Sequence, residues 1–489
     1  MRKEKIHSVK YNFLMNFILN ASAFIFPLIT FPYISRVLQA DGNGRITFVS
    51  SVANYFLMVA SLGIPTYGIR ACAQVRDNKE QLSKTAHEIL FINSVTTTLA
   101  IVTYVISIVT ISKFKDDEVL FLINGVNILL NMVGMNWLFQ ALEQYEYITI
   151  RSLIFKFISI VLMFLLVRNK NDYLIYASIT VFASVGSNIL NFIRSRHYIS
   201  FKRMGNYEIK KHIKPILILF AQNIAASIYT NLDTVMLGFI KNNTDVGYYN
   251  AAVKIKVILL SLVSSLGNVL LSRMSYYAKE NMKEKFIDTM KMSLNVTLLL
   301  SCSLSIYFSA FSAECIQFIA GDGYIGAVCA MQIITIAVIP NGMTGILGIQ
   351  VLTAIEKEKY VLYSVIVGAS LDLVLNLLFI PKWGAFGAAL ATTVAEFAVL
   401  GVQIWFTRNL LKPIKKDIKA FHYLLLTVPA LLVSLTTELL EIKLSFVKLV
   451  ISSMFFFGIY LVELLLIRDE FTINFIENIM RKIRKKENV

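Results

Sequence analysis

About fourteen stretches of roughly 20 mostly apolar residues recur along this chain, each the length that crosses a bilayer as a helix, with short polar breaks between them. No other feature limits the fold as sharply. Hydrocarbon offers no partner to a backbone amide, so spanning segments must be helices or the strands of a closed barrel, and the period-2 alternation of a barrel is absent. A composition with 56% hydrophobic and 16% charged residues agrees. The chain is therefore expected to be an all-α integral membrane protein.

The expected spans are 11–33, 46–69, 88–111, 119–139, 151–167, 173–193, 215–240, 247–271, 293–312, 325–353, 360–380, 384–406, 420–440 and 444–467. No break exceeds about 25 residues, too few for a separate catalytic or nucleotide-binding domain. The largest basic break, 194–214, reads as a linker between two pseudo-symmetric six-helix lobes, 1–193 and 215–406. Two further helices and a basic tail occupy 407–489. A shift of 203 residues lays Asn20 on Asn223 and Gly44 on Gly247 without a gap, with four identities in about 25 positions. Six spans separate the copies, so both run in the same sense, as in parallel repeats that hold a substrate between them.

A net charge of +16 would suggest nucleic acid in a soluble protein, but here the charges lie in alternate breaks. Arg2, Lys3, Lys5 and Lys10 open the chain; Arg70, Arg76, Lys79 and Lys84, then Arg194 to Lys214, follow with the same parity. About 34 Lys and Arg fall on that side and roughly 9 on the other, which is the bias that sets orientation. Both termini are expected to be cytoplasmic, and a nucleic-acid partner is not expected. The first apolar run is too long for a signal peptide and lacks a small-residue cleavage site, so it is expected to stay in the protein. Cys72, Cys302, Cys315 and Cys329 form no CxxC pair and read as packing residues. There is no GxxxxGK[ST], HExxH or GxSxG, and the five histidines are too scattered for a metal set. No cofactor is expected.

Polar residues inside the spans are the candidate site. Asn12, Asn16 and Asn20 recur every four residues on one face of the first helix, and Asn223, Ser227 and Asn231 do so on the seventh. They would line a hydrated cavity or make interhelical hydrogen bonds. Asp233 and Lys254 both lie about 10 Å from the outer ends of their helices, where they could be neighbours across a hairpin. Lys254 could meet an anionic substrate or form a structural ion pair with Asp233. Asp372, followed one turn on by Asn376, and Glu396 are open to binding H⁺ or Na⁺, or to holding helices together. Lys156, Lys448 and Glu463 lie near span ends and are expected to snorkel to water. Pro27 and Pro32 are expected to break the first helix. Gly342, Gly345 and Gly348, and Gly384, Gly387, Ala388 and Ala391, are expected to serve close packing.

Four segments carry a resemblance: Ser35-Arg-Val-Leu-Gln-Ala-Asp-Gly-Asn-Gly44, Gly63-Ile-Pro-Thr-Tyr-Gly-Ile-Arg70, Trp137-Leu-Phe-Gln-Ala-Leu-Glu-Gln-Tyr-Glu-Tyr-Ile-Thr-Ile-Arg151 with Ser152 to Lys156, and Gly247-Tyr-Tyr-Asn-Ala-Ala-Val-Lys254. Together they resemble the polysaccharide transporter (Wzx-type) flippases of bacteria. That family lies in the exporter superfamily that also holds the multidrug and toxin extrusion antiporters and the lipid II flippases. The resemblance implies a two-lobed, V-shaped fold in the bacterial cytoplasmic membrane. It implies passage of an undecaprenyl-diphosphate oligosaccharide to the outer leaflet by alternating access, for capsule, exopolysaccharide or O-antigen, with a polysaccharide polymerase and assembly proteins as candidate partners. It also implies that cavity cations meet the substrate: Lys254, with Arg36 and Arg45 near the outer mouth and Arg70 near the inner one. The lipid II flippases carry several cavity arginines where Asn12, Asn16, Asn20 and Asn54 stand here, which suits sugar hydroxyls better than a multi-arginine clamp. A multidrug antiporter of the same fold, or a membrane polymerase or ligase, is the alternative.

Overall fold

The computed structural model describes residues 8–264, 267–439, 442, 444–469, 471–473 and 477, without certain side chains in helices, chiefly 222–223 and 225–229. The expected basic tail lies outside these. The described residues form helices and turns with no strand. Among the described residues ten helices are long and apolar enough to cross a membrane, eleven when the bent pair Asp322–Ile334 and Val338–Leu352 is taken as one span. Two of the ten, Lys10–Ala73 and Glu358–Ile414, each carry two of the expected apolar runs. This is a multi-pass membrane protein.

The chain packs as two compact units, Met1–Gly247 and Tyr248–Val489. The first holds α1 (Val9–Ser61), α2 (Ile64–Ala73), α3 (Lys79–Thr110), α4 (Ser112–Lys115), α5 (Glu118–Gly134), α6 (Asn136–Ala141), α7 (Tyr145–Leu166), α8 (Tyr173–Val181), α9 (Asn188–Tyr198) and α10 (Lys210–Ile240). α1 packs along α3, α5, α7 and α10, so it is the spine of this unit. Ser8 and Asn78 cap α1 and α3 by accepting backbone N–H bonds in the first turn. A core of Ile64, Tyr67, Leu82, Ile89, Trp137 and Ile216 gathers where α2, α3, α6 and α10 meet. Gly68 lets Trp137 in: a Cβ there would stand 2.8 Å from the indole.

α11 (Asn243–Ser264) carries the chain across the division. Its first turn belongs to the first unit and crosses α1 backbone to backbone. A Cβ on Gly44 would collide with the Asn243 carbonyl, and one on Gly247 with the Ala40 carbonyl. Under the 203-residue shift Ala40 becomes Asn243 and Gly44 becomes Gly247, so the two contacts are the same contact made twice.

The second unit continues with α12 (Gly267–Lys279), α13 (Lys283–Ala310), α14 (Ser312–Ile319), α15 (Val328–Ile334), α16 (Val338–Thr344), α17 (Glu358–Leu411), α18 (Ala420–Leu435) and α19 (Ser445–Leu466). α13, α18 and α19 share a core of Leu294, Cys302, Tyr307, Tyr423, Phe456 and Tyr460. Past α19 the chain is tied back by Asp469, which accepts from the Tyr423 hydroxyl at 2.9 Å, Lys419 Nζ at 3.3 Å and the Thr472 N–H at 3.1 Å.

The expected break in the first helix is misplaced. Helical geometry persists through Pro27 and Pro32, and the non-helical residue is Gln39, at φ 58° and ψ −173°. The side chains of Ser35 and Arg36 donate to the Pro32 carbonyl, at 3.2 and 2.7 Å. Gly384, which is buried, is also a break: φ 54° divides α17 there. Gly342 and Gly348 do admit close neighbours, Thr297 and Gln403, whereas nothing lies within 4 Å of a Cβ on Gly345. Lys156 and Lys448 have local partners where snorkelling is expected. Lys156 Nζ donates to Ser22 Oγ at 2.7 Å and lies over the Phe26 ring, and Lys448 pairs with Glu314 at 2.6 Å.

Candidate functional site

The amides on α1 run from packed to open. Asn12 is buried and donates to Glu143 Oε2 at 3.4 Å; Asn16 is half-buried and accepts from Asn20 Nδ2 at 3.4 Å; Asn20 is exposed. Glu143, in the turn after α6 at φ 57°, also accepts from Arg76 Nη1 at 2.6 Å, so the closed end of the stripe is latched to the turn after α2. Asn54 is exposed on the second half of α1. On α10, Asn231 is half-buried and donates to Thr230 Oγ1 at 3.2 Å. The side chains of Asn223 and Ser227 are not among those described. Exposed amides on apolar helices are costly against hydrocarbon and not against water.

The cations differ in what surrounds them. Arg45 is held: its Nε and Nη1 each lie 2.9 Å from a carboxylate, Asp41 and Asp117, which braces α1 against the turn before α5. Arg36 is exposed and bonded to its own helix backbone. Arg70 is exposed, its guanidinium 5.5 Å from the centre of the Tyr67 ring. Asp233 is buried in the first unit, and Lys254 is half-buried in the second. In the second unit Asp372 and Asn376 are buried one turn apart on one face of α17, and Glu396 is buried on its second half. Among the described residues no three His, Cys, Asp or Glu side chains gather as a metal group.

Two polar centres escape sequence reasoning. In the first, His212 at the start of α10 is buried with Nε2 2.7 Å from Glu88 Oε2 on α3 and Nδ1 2.6 Å from the Tyr67 hydroxyl on α2. A carboxylate only accepts, so Nε2 carries the proton and, in the neutral ring, Nδ1 accepts from the phenol. Glu88, fully buried, also accepts the Glu208 N–H at 2.7 Å and lies 3.2 Å from Lys211 Nζ. Partial burial alone would lower the Lys211 ammonium, but the carboxylates of Glu208 and Glu88 hold it above the ordinary lysine value.

The second is Arg151, 7% exposed, whose Nη1 donates to the Ser187 carbonyl at 3.2 Å and Nη2 to Asn136 Oδ1 at 3.1 Å. Asn191 donates to the same Asn136 oxygen at 2.9 Å and to the Gly134 carbonyl. These carbonyls sit where regular helix fails: at Met135, φ 44°, between α5 and α6, and just past the π-helical turn Phe182–Gly186 before α9. The buried guanidinium satisfies backbone that the breaks leave open.

Comparison with known proteins fits this architecture. The putative O-antigen transporter of Escherichia coli K12 is 23% identical over 404 residues, 82% of this chain and 97% of that one. The lipid II flippase MurJ, solved in an inward closed conformation, superposes with a TM-score of 0.76 at 16% identity over 94% of this chain and all of that one. An inward-facing multidrug resistance MATE family transporter gives 0.59 at 12% identity over 80% and 99%. At these identities the structures establish the shared fold. Residues 9–278, more than half of the chain, match the family model described as polysaccharide biosynthesis protein, and the chain belongs to that family.

Proposed function

We propose that this protein is a transporter and not an enzyme: a flippase that carries an undecaprenyl-diphosphate-linked oligosaccharide from the cytoplasmic to the outer leaflet of a bacterial inner membrane. The observation that carries the reading is the likeness along 97% of a chain named as a putative O-antigen transporter, within a family named for polysaccharide biosynthesis. Exposed amides on α1 suit sugar hydroxyls, and Lys254 suits the diphosphate. The barrier to be removed is desolvation of the headgroup, while the prenyl tail stays in lipid. Two lobes rock about a hydrated site in this reading, with Asp233, Asp372 and Glu396 as the carboxylates that would take H⁺ or Na⁺ if an ion is exchanged.

Translocation of a fluorescent undecaprenyl-diphosphate oligosaccharide in proteoliposomes tests it. Reconstituted protein is expected to move the headgroup faster than protein-free liposomes do, and Lys254→Ala to slow it at least tenfold at equal reconstitution. No rate above the protein-free control would sink the proposal.

A further inference from the structure

The basic run that opens α10 divides by face. Lys211 and His212 turn inward to Glu88 and Tyr67, Ile216 is buried, Leu219 packs beside it, and the Ile216 carbonyl lies so close to Gly63 that a Cβ there would collide with it. On the opposite face Lys210, Ile213, Lys214, Leu217, Ile218 and Ala221 form one open side of the helix. Leu217 and Ile218 are 49% and 55% exposed. Lys210 and Lys214 stand one turn apart, both exposed, and among the described residues neither enters an ion pair, in contrast to Lys211 between them. Two unpaired ammoniums thus head about 10 Å of apolar helix surface.

We propose that this face of α10 receives the polyprenyl diphosphate of the transported lipid, with Lys210 and Lys214 on the diphosphate and Ile213, Leu217, Ile218 and Ala221 along the first part of the prenyl chain. The inference rests on the flippase reading and adds where the lipid docks before it is moved. Charge complementarity selects the occupant: two ammoniums match a diphosphate, whereas a bulk phosphodiester lipid brings a single charge. The inward anchoring of Lys211 and His212 fixes the rotation of α10, so the free lysines and the apolar wall stay on one side.

The test uses the full chain in nanodiscs with an undecaprenyl diphosphate bearing a photoreactive group in its tail, followed by mapping of the labelled peptides. Label is expected between residues 213 and 221, at least tenfold weaker in Lys210→Glu/Lys214→Glu and retained in Lys210→Arg/Lys214→Arg. Excess phosphatidylglycerol that displaces the label as well as unlabelled polyprenyl diphosphate does would overturn the choice of occupant. Label confined to other helices, in a wild-type protein that translocates the lipid, would overturn the site and leave the flippase standing. A wild-type protein that neither takes label nor translocates removes both.

Discussion

Three helices of the first unit depend on one imidazole. His212 joins α10 to Glu88 on α3 and Tyr67 on α2, and its replacement leaves a fully buried carboxylate short of a partner. His212→Ala is expected to cost roughly 3 kcal/mol, and Tyr67→Phe about 1 kcal/mol, in denaturation of the detergent-solubilised protein. Equal losses for the two would show that the imidazole–carboxylate contact adds nothing. Asp469 supplies a pH dependence. Burial by itself would raise its carboxyl, but the Thr472 N–H, the Tyr423 hydroxyl and the Lys419 ammonium hold it below the usual carboxylate range. A lowered folded-state value means stability that is present above the unfolded value and lost as pH falls through the folded one. The acid side of a stability-against-pH curve is therefore expected to be shallower in Asp469→Asn, with roughly 2 kcal/mol lost near neutrality. Legibility at this scale follows from context. Lys254, Asp372 and Glu396 stand out because each interrupts an apolar run, whereas Glu88 and His212 sit among other charges at the edges of runs. Their meeting depends on two positions far apart in the chain coming together, and no local pattern encodes that.

At the scale of elements, apolar length determines most of what forms, and the breaks are harder to read. Proline marks a lost N–H, yet α1 continues through Pro27 and Pro32 and turns at Gln39, a residue with no turn preference of its own. The glutamine holds a positive φ between two buried neighbours, Leu38 and Ala40. Gly384 does the same work with the residue expected for it. The glycines at the α1–α11 crossing are legible as a pair through the 203-residue shift, though not as touching each other's helices. Because both contacts are backbone collisions in waiting, Gly44→Ala and Gly247→Ala are each expected to cost about 1–3 kcal/mol. Since either substitution forces the same crossing apart, the double variant is expected to lose less than the sum, as a thermal-stability cycle would show. Strict additivity would mean that the two contacts are independent.

For the whole molecule, the fold class and membrane character follow from the apolar rhythm, because only a helix satisfies its own amides in lipid. The family follows from segments such as Gly63 to Arg70 and Trp137 to Arg151, whose residues include the Tyr67 and Arg151 that organise polar centres. A prediction belongs here as well. A headgroup carrying two negative charges and leaving an interior-negative compartment gains about 2.3 kcal/mol per charge per 100 mV. In proteoliposomes clamped at that potential, the equilibrium leaflet ratio of the lipid is expected to shift on the order of a thousandfold if no ion is exchanged. A ratio that follows an imposed pH or Na⁺ gradient instead would place the driving force on the carboxylates. The mutual crossing of Gly44 and Gly247 has a bearing on how such a chain can change over time. A surface that meets its own counterpart is the signature of an isologous dimer, here written into one polypeptide. The two positions are therefore bound to each other: a side chain gained at either one opens the same crossing, and relief at one requires the other to stay small.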